Sequence, residues 1–335
     1  MKISVALCTF NGERFVRTQL ESLADQTRTP DQLMISDDAS TDRTVSIIED
    51  FARSCTFPVS LVVNATTLGL VKNFDQTIAR CDGDIIFLCD QDDFWYREKI
   101  EQVSAAFSND RIGIVFSDAD IVDESLNPLS KRLTSAPFRA KVKDRNNFNL
   151  FEGILNGNVV AGMTMAFRSG LREVAQPIPS DLPGIIHDGW ISLVAALSGE
   201  WLFLDQSLVM YRQHPHQLVG EDNSHPEILG TSRREQIARY SENSLYQIDR
   251  LERIRNRLEK QVFHKLGQKS VGDARDILEK QINFWGKQKS HLQWRSNLSP
   301  NRLKRLPGIF TELVRGKYSR FSNGAKSAFK DLFLP

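Results

Sequence analysis

Residues 85–89, Ile-Ile-Phe-Leu-Cys, form an apolar run with no polar interruption that leads straight into Asp90-Gln91-Asp92-Asp93. A run of strand length without alternation reads as a strand covered on both faces, which points to a layered α/β fold with a parallel centre. Open α/β sheets bind ligands beyond the C-terminal ends of their strands, and this run delivers three carboxylates there. Unit charges about 4 Å apart repel by roughly 1 kcal/mol in water and about 4 kcal/mol at an effective dielectric near 20, so the cluster calls for a cation. The simplest occupant is Mg²⁺ or Mn²⁺, which favour carboxylate oxygen and combine one or two protein carboxylates with substrate phosphates. Taken alone, an Asp-x-Asp is equally the mark of a solvated loop, with Asp93 capping a helix that starts near Phe94-Trp95.

The flanking pattern favours the sheet. Residues 3–10 are β-rich and close on Asn11-Gly12; Val16, Leu20 and Leu23 then recur at helical spacing. A second strand, 32–36, ends at Asp37-Asp38-Ala39-Ser40-Thr41-Asp42, and Val45, Ile48 and Ala52 mark the buried face of the next helix. A third strand at 59–63 is followed by the stripe Val71, Phe74, Ile78, Cys81 and then by the opening run. Four strands alternating with three helices predict a mostly parallel, doubly wound sheet. Its edge gathers Thr9-Phe10-Asn11, Asp37-Asp38 and Asp90-Gln91-Asp92 into one crevice. Downstream, Ile100, Val103 and Phe107 predict a helix, 112–117 a strand ending at Asp118, 124–150 an irregular excursion, and 159–167 a further β-like stretch. His187-Asp188-Gly189-Trp190 opens a helix, and a strand at 201–204 runs toward Tyr211-Arg212-Gln213-His214.

Charge divides the chain. Residues 1–230 carry 20 Lys and Arg against 32 Asp and Glu, a net −12; residues 231–335 carry 23 against 10, a net +13. The expected organisation is therefore an acidic catalytic domain, 1–230, and a helical basic C-terminal region, 231–335. Cys8, Cys55, Cys81 and Cys89 show no metal-ligand spacing and no disulfide framework, which predicts free thiols, mostly buried, in a reducing compartment. The apolar stretch after Met1-Lys2 is too brief for a signal peptide, and no run approaches 18 apolar residues, so the expectation is a cytoplasmic, non-spanning protein.

In order along the chain, Val5-Ala6-Leu7-Cys8-Thr9-Phe10-Asn11-Gly12, Ile35-Ser36-Asp37-Asp38-Ala39-Ser40-Thr41-Asp42, Leu68-Gly69 through Asn73, Asp90-Gln91-Asp92-Asp93, Gly162-Met163-Thr164-Met165-Ala166-Phe167, His187-Asp188-Gly189-Trp190 and Tyr211-Arg212-Gln213-His214 resemble the family 2 inverting glycosyltransferases, over roughly residues 3–215. The Tyr-Arg-Gln-His form is most similar to the rhamnosyltransferase-like branch that builds bacterial surface polysaccharide. The resemblance implies a GT-A nucleotide-sugar-binding domain, a UDP- or dTDP-sugar donor, dTDP-rhamnose among them, and a lipid-linked polysaccharide precursor as acceptor. It implies a metal-dependent hexosyltransferase, with Asp90 at ribose or metal-bound water, Asp92 on the metal, and Thr9, Phe10 and Asn11 around base and ribose.

Asp38 or Asp37 accepts from the uracil or thymine imide N–H. Lys72, with Asn73 beside it, reaches the pyrophosphate or stands solvated on its helix. Gln91 belongs to the nucleotide-sugar set. Asp188 is the general base, taking the proton from the acceptor hydroxyl, and alternatively an N-cap. The resemblance implies that Arg212 and His214 meet the pyrophosphate or the metal; the alternative is a polar surface turn before Pro215. Trp95 and Trp190 stack on sugar or lie in the core. Competing classes are a catalytically silent assembly scaffold and a nucleotidyltransferase; the latter wants a glycine-rich, basic triphosphate loop, which residues 9–14 supply poorly.

In the tail, Leu245, Ile248, Leu251, Ile254 and Leu258 form a helical stripe suited to docking or a homodimer. From Lys287 onward 11 Lys and Arg against 2 acidic residues are interleaved with aromatic and aliphatic side chains, a composition that favours an anionic membrane surface on the cytoplasmic side over nucleic acid.

Overall fold

The computed structural model describes residues 1–135, 139, 142, 149–156, 160–183, 185–215, 217, 233–260, 271–299 and 301–333. The chain splits into two compact units, residues 1–220 with 261–271 and residues 221–260 with 272–335. The boundary expected near residue 230 and the start of the β-like stretch at Val159 lie outside the described residues.

In the first unit, β1 (Ile3–Thr9), β2 (Gln32–Asp37), β3 (Val59–Val63) and β4 (Ile85–Cys89) run parallel in the order β3-β2-β1-β4. Every residue of β1 and β4 is buried, as their unalternating sequences require, while edge strand β3 is half exposed. Helices α1 (Val16–Ala24), α2 (Thr44–Ser54) and α3 (Leu70–Arg80) connect these strands. Val16, Leu20 and Leu23 are buried as expected. On α2 Ile48 is buried as expected, whereas the other buried apolar residue is Phe51, one position before Ala52; Val45 and Ala52 are half-buried.

Beyond β4 the sheet becomes mixed, which corrects the mostly parallel expectation for its second half. β8 (Met165–Arg168) lies antiparallel to both β4 and β6 (Ile112–Val122), and β9 (Glu200–Arg212) runs parallel to β6. β5 (Phe94–Trp95) and β7 (Pro128–Arg132) add antiparallel pairs to β9 and β6. Phe94 and Trp95 thus form a short strand against Met210 and Val209 rather than the start of a helix, and α4 (Lys99–Ala106) begins four residues later. β7 was hidden in the sequence because its side chains face solvent and carry no apolar alternation. Gly162–Thr164 is a 3₁₀ turn rather than strand, and the chain becomes β only at Met165. Shifts in register along β6–β9 accompany Asp118, fully buried and paired with Arg132 at 3.1 Å. Short helices α5 (Leu150–Asn156) and α6 (Arg172–Ala175) precede α7 (His187–Ser198). All four cysteines are free, and Cys8, Cys81 and Cys89 are buried.

The second unit is helical: α8 (Arg233–Lys260), α9 (Val271–Ser296), α10 (Arg302–Val314), α11 (Lys317–Phe321) and α12 (Gly324–Phe333). On α8 the buried residues include Ile237, Ser244, Gln247, Leu251 and Ile254, whereas Leu245 of the expected stripe is exposed and Ile248 half-buried. The side chain of Leu258 lies outside the described residues. Ile309, Tyr318 and Ala328 form a small core, clamped by Asp331, which receives Arg295 at 2.6 and 3.0 Å and the Tyr318 hydroxyl at 2.7 Å. Among the described residues no helix is long and apolar enough to cross a membrane.

Candidate active site

Pairing of β1 with β2 and with β4 sets Thr9 beside Asp37 and Leu7 beside Cys89, so the loops after all three strands open at one edge. They are laced together. Gln91 grips the Phe10 backbone at both ends of its amide: Oε1 accepts from the Phe10 N–H at 2.9 Å and Nε2 donates to its carbonyl at 3.0 Å. A Cβ at Gly12 would sit 2.2 Å from the Gln91 Oε1, so this close approach requires glycine. Asn11 receives the Thr41 N–H at 2.9 Å and donates its own N–H to Ser40 Oγ at 2.8 Å. The ring of Phe10 is left 46% exposed at the rim.

Several residues expected at the nucleotide are turned into the fold. Asp37 accepts from Thr9 Oγ1 at 2.7 Å and from the Ser40 N–H and hydroxyl at 2.8 and 2.6 Å. Asp38 accepts from Leu68 N at 2.7 Å, Gly69 N at 2.9 Å and Asn64 Nδ2 at 2.9 Å, leaving about one of its roughly four lone pairs. Asn73 donates to the Ser36 carbonyl at 2.9 Å and accepts from Asn64 and Gln76, both at 3.0 Å. Lys72 is exposed on α3.

The acidic turn is the electrostatic centre. Burial raises the Asp90 carboxyl to about 7, and the carboxylates of Asp92 and Asp188 push in the same direction. Asp188 is therefore in the field of the acidic turn, although it comes from the first turn of α7. Its Oδ2 accepts from the Gly162 N–H at 3.0 Å and its Oδ1 from the Gly189 N–H at 2.6 Å, which fixes the carboxylate; the N-cap position belongs to Ile186. Asp93 is buried with Oδ1 accepting from the Arg212 N–H at 3.2 Å and Oδ2 without a hydrogen-bond partner, so it is neither solvated nor a helix cap. Burial, then the charges of Asp92 and Asp90, hold its carboxyl well above the usual range.

Two residues from the end of β9 close the turn. Arg212 donates Nε to the Asp92 carbonyl at 2.6 Å and Nη1 to the Glu124 carbonyl, with its guanidinium 4.7 Å over the Phe15 ring. His214 Nε2 lies 2.9 Å from Asp92 Oδ2, and its ring stands 4.7 Å from that of Phe15. Arg212 thus holds the backbone of the turn, while Asp92 and His214 meet directly. Among the described residues no three His, Cys, Asp or Glu side chains stand ready-made around a metal position. The donor types nevertheless suit a hard divalent cation, and the Asp93 Oδ2 is buried without a hydrogen-bond partner beside carboxylates whose charges repel one another.

Lys99, which the sequence reading missed, is the buried counter-charge. Its Nζ donates to the Met163 carbonyl and lies 3.4 Å from the Trp95 ring centroid. Burial lowers its pKa to about 7 against the pull of Cys89, Asp93 and Asp90. Through Met163 it anchors the Gly162–Thr164 turn whose first N–H binds Asp188. The available signal was a lysine next to the buried stripe Ile100, Val103, Phe107 and close behind three uncompensated aspartates. Trp95 and Trp190 both belong to the core, the latter donating Nε1 to the Ala175 carbonyl at 2.8 Å.

His187 is buried against Phe74, ring centroids 3.8 Å apart at 12°, with neither nitrogen hydrogen-bonded. Burial lowers its pKa from 6.5 to about 4, opposed by Asp188. The unfolded chain thus takes up this proton first, so His187 costs stability as pH falls from about 6.5 toward 4. The loss amounts to about 3 kcal/mol. A His187→Phe variant should lose that increment, seen as the difference between the two proteins' unfolding free energies across this window; a difference constant with pH would contradict the assignment.

The comparisons place this architecture. Staphylococcus aureus TarS residues 1–349, solved in complex with UDP, superposes with a TM-score of 0.53 at 17% identity, covering 87% of this chain and 92% of that one. The same fragment with UDP-GlcNAc gives 0.53 at 15% identity over 98% and 91%. These likenesses show the fold, a GT-A-like mixed α/β domain. The family model described as glycosyl transferase family 2 matches residues 4–175, and the chain belongs to that family. In sequence it is 25% identical over 228 residues to an uncharacterized protein of Mycobacterium tuberculosis, covering 64% of this chain but 59% of the relative's length. A dTDP-rhamnosyl transferase, RfbG of Shigella flexneri, is 36% identical over 99 residues, covering 28% and 34%.

Proposed function

We propose that the chain is an inverting hexosyltransferase that moves a sugar from a UDP- or dTDP-sugar, dTDP-rhamnose being one candidate, to a hydroxyl of a lipid-linked surface-polysaccharide precursor at the inner face of the cell membrane. The observation that carries this is the influence of Asp188 on Asp90: a carboxylate far away in sequence, held by the Gly162 and Gly189 N–H groups, bears on the charge of the acidic turn. The partial likeness to a dTDP-rhamnosyl transferase and the neighbours solved with UDP support the choice of base.

In this reading the exposed ring of Phe10 and the remaining lone pair of Asp38 receive the base, with Thr9 and Asn11 at the ribose side and Lys72 toward the pyrophosphate. Asp90, Asp92 and His214 hold Mg²⁺ or Mn²⁺, which when bound neutralises the charge growing on the departing diphosphate. Arg212, Gln91 and Asn73 position the loops rather than touch the donor. Asp188 takes the proton from the acceptor hydroxyl as its oxygen bonds to the anomeric carbon from the face opposite the leaving phosphate. The carbon–phosphate-oxygen bond breaks in the same step, which inverts the centre without a covalent sugar–enzyme intermediate.

A thermal-shift screen of nucleotide sugars with and without Mn²⁺ tests the donor. A cognate UDP- or dTDP-sugar at about 100 times its Kd stabilises the folded chain by about 2.7 kcal/mol. A response confined to purine-nucleotide sugars, or a cognate response indifferent to Mn²⁺, would overturn the base or the metal assignment respectively.

A further inference from the structure

Half of the exposed large hydrophobic residues among the described ones, seven of fourteen, fall within residues 303–333. On α10 they are Leu303 (76% exposed), Leu306, Phe310 (68%), Leu313 and Val314 (72%). Spacings of three, four, three and one put all five within one stripe about 100° wide. The opposite side of the same helix packs inward through Arg305, Ile309 and Glu312. On α12, Phe329 and Phe333 are exposed one turn apart with ring centroids at 4.4 Å. A soluble helix hides its apolar stripe; here the stripe faces out while polar residues face in.

The charge around these side chains is of one sign. Both carboxylates of the segment are buried: Glu312 faces Lys317 at 3.0 Å and His291 at 3.3 Å, and Asp331 is held by Arg295. Arg302, Lys304, Arg315, Arg320 and Lys326 are all exposed. Lys326 and Lys330, on the helix that carries the two phenylalanines, also line a recess shared with Ile237, Tyr240 and Arg295. A second copy of this chain is a poor occupant, because an isologous contact would set cation against cation. An apolar stripe rimmed by cations matches the boundary between acyl chains and anionic headgroups.

We infer that the outer faces of α10 and α12 dock on an anionic lipid bilayer, with Phe310 and Phe329 inserted at the headgroup boundary and the surrounding Lys and Arg on lipid phosphates. This holds independently of which donor and acceptor the first unit uses.

The test is co-sedimentation of the full chain with phosphatidylcholine vesicles with and without phosphatidylglycerol, beside Phe310→Ser/Phe329→Ser and Lys304→Glu/Lys326→Glu. All four positions are exposed, and unaltered thermal melts would show that the variants are folded. Expected are binding to the anionic vesicles at least tenfold tighter than to neutral ones, at least a tenfold loss in the phenylalanine variant, and a loss in the charge-reversed variant confined to anionic vesicles. Equal binding of wild type to both vesicle types, or unchanged binding by the phenylalanine variant, would overturn the inference. So would a concentration-dependent dimer, abolished by the same substitutions, in a protein that leaves vesicles alone; the face would then belong to a second copy.

Discussion

Replacing Asp188 with Asn should lower sugar transfer by about 10²–10⁴-fold, the range that a positioned general base contributes. The amide keeps the size of the carboxylate and its oxygen can still accept from the Gly162 N–H, which holds the 3₁₀ turn, while the bond from the Gly189 N–H is given up. What disappears is the ability to take the acceptor proton. Donor binding, read by thermal shift, should therefore match wild type while turnover with acceptor collapses. A variant that transfers within about tenfold of wild type would remove Asp188 from the reaction. Loss of donor binding in parallel with turnover would mean that the residue acts on the donor side instead.

Lys99→Met should destabilise the first unit by about 3 kcal/mol, the scale expected when one partner of a buried charged group is removed. For a unit of this size that corresponds to a fall in Tm of roughly 6–12 °C. Methionine preserves the apolar stem over Trp95 but leaves the Met163 carbonyl without its donor and removes a buried cation that acts on both Asp90 and Asp93. Saturating Mn²⁺ should narrow the gap between variant and wild type, because a divalent ion at Asp90 and Asp92 supplies part of the missing charge. A variant melting within a degree or two of wild type would show that the acids are balanced by something else.

The sequence exposes those parts of the molecule whose physics repeats. β1 and β4 are legible because strands covered on both faces need unbroken apolar runs, and α1 and α3 because their buried residues return every three or four positions. β5 is two residues long and has no period to detect, while β7 is polar and exposed. The acids of the candidate site announce themselves by crowding, but a carboxylate looks the same in a sequence whether it faces a ligand or a backbone. Asp37, Asp38 and Asn73 spend their polar atoms on neighbouring loops, which no spacing rule reveals. Lys99 is obscure for the opposite reason: a lysine at the start of a helix ordinarily points to water, and here the helix turns it beneath the acidic turn.

The two-ended grip of Gln91 on Phe10 ties the aromatic rim to the Asp90–Asp93 segment. A chimera that imports the first loop from another glycosyltransferase without the matching residue at 91 would uncouple the two, and the glycine at 12 would lose its reason to be there. The Phe10 rim and the acid cluster are thus tied into one structural unit, although some eighty residues of chain separate them.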